Sequence, residues 1–177
     1  AALTPLYLLT VLAGVSLFIV PVQAGYVLQL LHIDAPRQVG LAMGANQLGV
    51  LAGALAFRLL ARLPAGRLLA LGFATAGLGS GLMALASSHA PLVLAVLING
   101  LGVGLLLPTL ITLVMQQVGF DQRGRATGGF TSAIFAGEFV SPLIVLALTA
   151  GVATQLPHAL LLVAIGQLLL APVCLSL

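Results

Sequence analysis

The sequence predicts an all-α, polytopic membrane protein of six transmembrane helices, and three observations carry that expectation. Charge is scarce, with six Lys or Arg and three Asp or Glu among 177 residues, where a soluble domain carries about a quarter charged residues. Mean hydropathy is +1.25 and 61% of the residues are hydrophobic. The apolar runs are continuous and close to the roughly 20 residues that cross a hydrocarbon core of about 30 Å. They lack the strict alternation of lumen-facing and lipid-facing positions that a barrel strand needs.

Taken in order, the spans are Thr4 to Leu31, Arg37 to Leu60, Arg67 to Ser87, Pro91 to Val118, Ala126 to Ala150 and Pro157 to Ser176. The connections between them carry turn and start signals. His32 to Pro36 holds Asp34, a candidate cap for the second helix, with Pro36 at its first turn. Pro64 breaks the second loop, while Pro91 and Pro157 open the fourth and sixth helices. None of the connections is long enough for a soluble domain, so residues 1–177 read as one six-helix unit. The first residue is Ala1, with no n-region or cleavage pattern ahead of the first span, and the sequence reads as a piece of a longer chain.

The arginines orient the chain. Loops two and four hold Arg58, Arg62, Arg67, Arg123 and Arg125 against Asp121, whereas the odd loops hold Arg37 balanced by Asp34. Basic loops stay on the cytoplasmic side, which places both termini in the cytoplasm and the chain in the inner, plasma membrane. The net charge of +3 therefore reads as topology. It offers no basic patch for nucleic acid and no cluster dense enough for anionic lipid headgroups.

Enzyme chemistry finds little support. The single cysteine, Cys174, excludes an internal disulfide and a cysteine-based metal site. His32, His89 and His158 lie far apart at helix ends, with no HExxH pattern, so neither a metal centre nor a serine dyad with Ser80 is expected. Gly100, Gly102 and Gly104 lie deep in an apolar span with no preceding strand or partner lysine, so no nucleotide or other cofactor is expected. Glycines four apart (Gly40/Gly44, Gly49/Gly53, Gly77/Gly81, Gly100/Gly104, Gly124/Gly128) instead suit close helix approach in lipid. Pro21, Pro108 and Pro142 fall inside spans, where each removes a backbone hydrogen bond and kinks its helix.

The run Asn99-Gly-Leu-Gly-Val-Gly-Leu-Leu-Leu-Pro108, then Arg123-Gly-Arg-Ala-Thr-Gly-Gly, then Gly137-Glu-Phe-Val-Ser-Pro142 resembles helices ten and eleven of major facilitator superfamily transporters. Pro21-Val-Gln23 and the segment Arg58 to Arg67 are similar to helix seven and the loop between helices eight and nine in the efflux branch. The second loop departs from the family pattern, with Phe57 and Ala61 where Gly and Asp usually precede the arginine. The resemblance covers nearly the whole chain. It implies the C-terminal half of a twelve-helix secondary transporter, built as two inverted three-helix repeats and exporting a small molecule in exchange for protons. An N-terminal six-helix half, or a second copy of this chain, would complete it within the lipid bilayer.

Polar side chains within the spans mark the expected pathway: Gln23, Asn46, Gln47, Asn99, Thr109, Thr112, Glu138 and Ser141. Residues of this kind at mid-depth must face protein or water, so spans one, two, four and five are expected inside and spans three and six against lipid. An interhelical hydrogen bond and a substrate contact are both open readings for each amide. Glu138 is the one acid within a span, about 18 Å of helix from either end. An ionised carboxylate there costs about 3 kcal/mol or more, so its proton is a candidate coupling variable. Thr131 and Ser141 share its face and are expected as hydroxyl neighbours. A neutral Glu138 that only joins two helices is the competing reading. Arg58, Arg62 and Arg67 suit topology alone, while Arg123 and Arg125 suit a cytoplasmic latch that opens and closes in alternating access. A small oligomeric channel or a non-transporting scaffold is the alternative function, although no filter sequence is present.

Overall fold

The computed structural model describes residues 3–175. Among them are six long helices and no strand: α1 Thr4–Leu30, α2 Pro36–Leu60, α3 Ala65–Ala84, α4 His89–Gln116, α5 Arg123–Thr149 and α6 Leu156–Leu175. Each is long and apolar enough to cross a membrane. The predicted end of the sixth span, Ser176, lies outside the described residues.

Local chemistry sets the boundaries. α2 begins at Pro36, and Ala35 before it is extended (φ −65°, ψ 121°), as the residue ahead of a proline prefers. Ala35 therefore holds the capping position. Asp34, expected there, makes no capping bond. Pro91 sits in the first turn of α4, where a missing N–H has no helical acceptor to disappoint. α5 ends through Ala150 and Gly151, at φ 48° and 76°. The left-handed conformation at position 151 suits glycine, which has no side chain to clash.

α1 lies beside α5, α2 beside α4, and α3 between α4 and α6, with α1 and α4 in contact near the centre. Exchanging the first three helices for the last three maps the α1–α5 pair onto the α4–α2 pair, the pairing that inverted repeats require. The broad α3–α4 seam has a much lighter counterpart between α6 and α1.

Glycines make the seams. A side chain at Gly49 or Gly53 would strike the backbone of Leu97 or Leu101, and one at Gly100 or Gly104 would strike Asn46 or Val50, so α2 and α4 touch backbone to backbone. Gly14 and Gly137 meet in the same way between α1 and α5. Gly79 and Gly102 do so between α3 and α4, and Gly77 abuts Ala164 of α6. Gly40, Gly44, Gly124 and Gly128 have open space instead, so the spacing of four does not by itself select a seam.

Two apolar cores fill the bundle. One, around Leu69, Phe73, Leu106, Leu110, Phe130 and Cys174, lies toward the arginine loops. The other, around Ile19, Leu28, Met83, Leu92, Val96 and Leu160, lies toward the opposite end. Span three is packed on two sides within the chain and keeps Leu71, Leu78 and Leu85 exposed. α3 and α4 each have 56% of their most apolar stretch buried, against 28% for α2 and 22% for α5. The cause is the pair of glycine notches that lets α4 and α6 close on α3 from both sides.

Candidate transport site

The polar residues of the spans divide into those that join helices and those that face open space. Between the two cores, at mid-depth, lies a band of buried amides and hydroxyls. Asn99 donates from Nδ2 to Ala76 O and to Ser80 Oγ, both at 3.1 Å. Gln167 donates from Nε2 to Ser16 Oγ at 2.8 Å, and Ser16 in turn donates to Leu12 O. Asn99 Oδ1 and Gln167 Oε1 accept no bond from the described residues. Asn99, expected on the pathway, thus turns its amide nitrogen to α3 and ties that helix to α4.

Asn46 and Ser141 also bond across seams. Asn46 donates to Val96 O at 2.9 Å, beside the glycine contacts of α2 and α4. Ser141 donates to Val15 O at 3.1 Å, across the α1–α5 seam. Its hydroxyl is therefore directed at α1, and not at Glu138 as expected. Thr131, the other expected neighbour, is exposed. Thr109 and Thr112 bond back to Leu105 O and Pro108 O within α4. Thr109 is buried, whereas Thr112 is exposed at the lip of a depression of about 460 Å³ that also holds Gln116 and Arg123. Gln47 is exposed on α2, in a shallow groove of about 800 Å³ with Gly40, Gly44 and His89. His89 shares a 2.9 Å hydrogen bond with Gln38 O, pinning the start of α4 to α2.

Glu138 is half-buried at the centre of α5, and its carboxyl has no hydrogen-bond or ion-pair partner among the described residues. Its backbone is also affected. Pro142 is the residue four positions on and has no N–H to donate, so the Glu138 carbonyl loses its normal helical partner. Pro108 does the same to Gly104 O, and Pro21 to Leu17 O. At about 100° per residue, Glu138, Pro142, Val145 and Thr149 fall on one flank of α5.

All five arginines of loops two and four are exposed. Arg58 lies in the last turn of α2, where a cation meets the negative end of the helix dipole. Arg123 lies over the ring of Phe120, 5.7 Å from its centroid, a cation–π arrangement. Neither Arg123 nor Arg125 bonds a helix-end carbonyl or an acid among the described residues.

Several pairings escaped the residue-type search. Ser16 with Gln167, and Ser80 with Asn99, are pairs whose partners lie on different spans, and no spacing within one helix announces them. Tyr7, which bonds Ala126 O at 3.3 Å and packs on Gly129, is of the same kind.

Six membrane-length helices, inverted pairing and proline-interrupted helices around a mid-depth acid narrow the family, and the family model of the Major Facilitator Superfamily matches residues 6–177. The chain belongs to the Major Facilitator Superfamily. That is a family of membrane transporters and not of enzymes, and it makes this chain a multi-pass membrane protein. No curated protein sequence matches the chain.

Proposed function

We propose that this chain is the C-terminal, six-helix half of a secondary transporter of the efflux branch, which exports a small molecule in exchange for protons. The observation that carries the reading is Glu138. It is a half-buried acid without a partner among the described residues, on the least buried helix, at the depth where an ionised carboxylate costs about 3 kcal/mol or more in lipid. Alternating exposure of an acid so placed is how proton coupling works. The open faces of α2 and α5 receive the second wall. That wall is an N-terminal six-helix half, or a second copy of this chain.

Gln47, Thr112 and Glu138 are the pathway residues this reading retains at open surfaces, while Gln23 is buried in a groove between α1 and α5. Asn46, Asn99, Thr109 and Ser141 hold the helices that carry them. Arg123 and Arg125, which have no acid partner among the described residues, are free to meet an acid of the other half on the cytoplasmic side of the inner membrane, with both termini on that side.

The test is Glu138→Gln in reconstituted, complete transporter. The amide keeps the shape and mimics the protonated carboxyl. The expected outcome is loss of accumulation driven by an imposed pH gradient, with substrate exchange retained. Unchanged accumulation and pH dependence would make Glu138 a packing residue and move the coupling site to the other half.

A further inference from the structure

A groove of about 490 Å³ runs between the ends of α1 and α5 farthest from the arginine loops, closed at its end by Ala153 in the connection before α6 and Leu156 at the start of α6. No residue of α2 or α4 lines it, and Pro142, Val145 and Thr149 line it from the flank of α5 that carries Glu138, one to three turns beyond that residue. Its walls are mostly apolar, with Val22, Leu30, Val145 and Leu146 among them, yet it also holds Gln23, Tyr26 and Gln29.

Gln23 is the informative residue. It is only 4% exposed, it lines the groove, and its carboxamide makes no hydrogen bond with any described residue. It lies seven residues before Leu30, the end of α1, or about 10 Å in from that end. A buried amide at such depth is costly unless something pairs with it. The polar groups supply donors and acceptors with no formal charge, and no charged residue lines the groove. A cavity of this size suits one drug-sized molecule.

We propose that this groove binds a single uncharged amphiphile, its hydroxyl- or amide-bearing head bonded to Gln23 and reached by Tyr26 and Gln29, its chain along Val145 and Leu146. The binding does not depend on Glu138 or on proton coupling. The same chemistry arises from a single-chain lipid of the bilayer or from a soluble cargo.

The chain has no tryptophan, so Tyr26→Trp gives one fluorescent reporter at the groove. In phosphatidylcholine vesicles, a monoacylglycerol brominated on its chain should quench it saturably. Half-saturation should move at least tenfold higher in Gln23→Leu. A brominated fatty acid and a brominated alkane of the same length should quench without saturating. A brominated alkyl glucoside added from solution separates the sources: a saturable response marks a soluble cargo, and a response confined to the monoacylglycerol marks a bilayer lipid. The melting temperature of Gln23→Leu should equal or exceed that of the parent, because the change removes an unpaired amide. A fall shows that Gln23 is paired and overturns the proposal. Gln29→Leu gives a second arm, with a smaller shift expected. Equal, linear quenching by all the probes, or indifference to Gln23→Leu, also overturns it. Proton-driven transport can persist through that failure, which separates this site from the reading of Glu138.

Discussion

Alanine at Gly100 and at Gly128 should have opposite effects, although both residues begin or end a glycine pair of the same spacing. At Gly100 the added methyl would overlap Asn46 O and lie 3.0 Å from Asn46 Nδ2 and from Val50 N. Two of those atoms are backbone, so α2 and α4 must separate. Such overpacking costs about 1–3 kcal/mol. Weakening the Asn46 bond to Val96 O costs about 1 kcal/mol more, and the better helix propensity of alanine returns about 1 kcal/mol. The net expectation is a loss of about 2 kcal/mol. At Gly128 nothing lies within 4 Å of the added methyl, so only the propensity gain of about 1 kcal/mol remains. Unfolding the two variants by sodium dodecyl sulfate titration in mixed micelles measures the difference, about 3 kcal/mol in all. Equal midpoints, or a larger loss at Gly128, would refute the seam assignment. In the proposed two-half assembly, Gly128→Ala should weaken association of the second half while leaving this chain's own unfolding unimpaired.

Cysteine introduced at Ala65 or Gln122 should react with an impermeant thiol reagent only from the cytoplasmic side, and cysteine at His89 only from outside. Cys174 is buried and should contribute little background; the reverse pattern inverts the orientation. Ser16→Ala leaves Gln167 with neither amide atom paired and should cost about 1–3 kcal/mol. Gln167→Leu removes the unpaired oxygen together with its bond and should cost less, and the double variant should be close to Gln167→Leu. Additive losses in thermal unfolding would show that the two residues do not act as a pair.

Much of the fold was legible because lipid imposes few solutions. Continuous apolar runs and short proline-marked connections gave six helices and, within a few residues, their ends. The pairs Gly49/Gly53 of α2 and Gly100/Gly104 of α4 were legible as contacts. Gly124/Gly128 had the same spacing and no contact, because a spacing within one helix says nothing of whether a second helix faces it. Burial of α3 was illegible for a related reason. Its apolar surface looks the same to lipid as to a neighbouring helix, and only the matching notches at Gly72, Gly77 and Gly79 distinguish the two. Within the candidate site, residue type announced Glu138, Gln23 and Asn99 as unusual in a span. It did not announce that Asn99 bonds α3, or that Ser141 bonds α1.

The arrangement of α5 links these points. It is the least buried span, and its exposed side carries Phe135 and Phe139 next to Glu138. At that one residue a carboxyl has no partner among the described residues, and Pro142 deprives the carbonyl of its usual donor. Two unmet polar groups at mid-depth are costly against hydrocarbon, since lipid offers no compensating bond. Ser141 and Gly137, one face around, hold α5 tightly to α1, so the helix cannot rotate Glu138 inward without breaking that seam. The acid is therefore fixed at an edge. Its needs are met by water in a cavity or by a further protein wall, which is the situation a proton-coupled pathway requires.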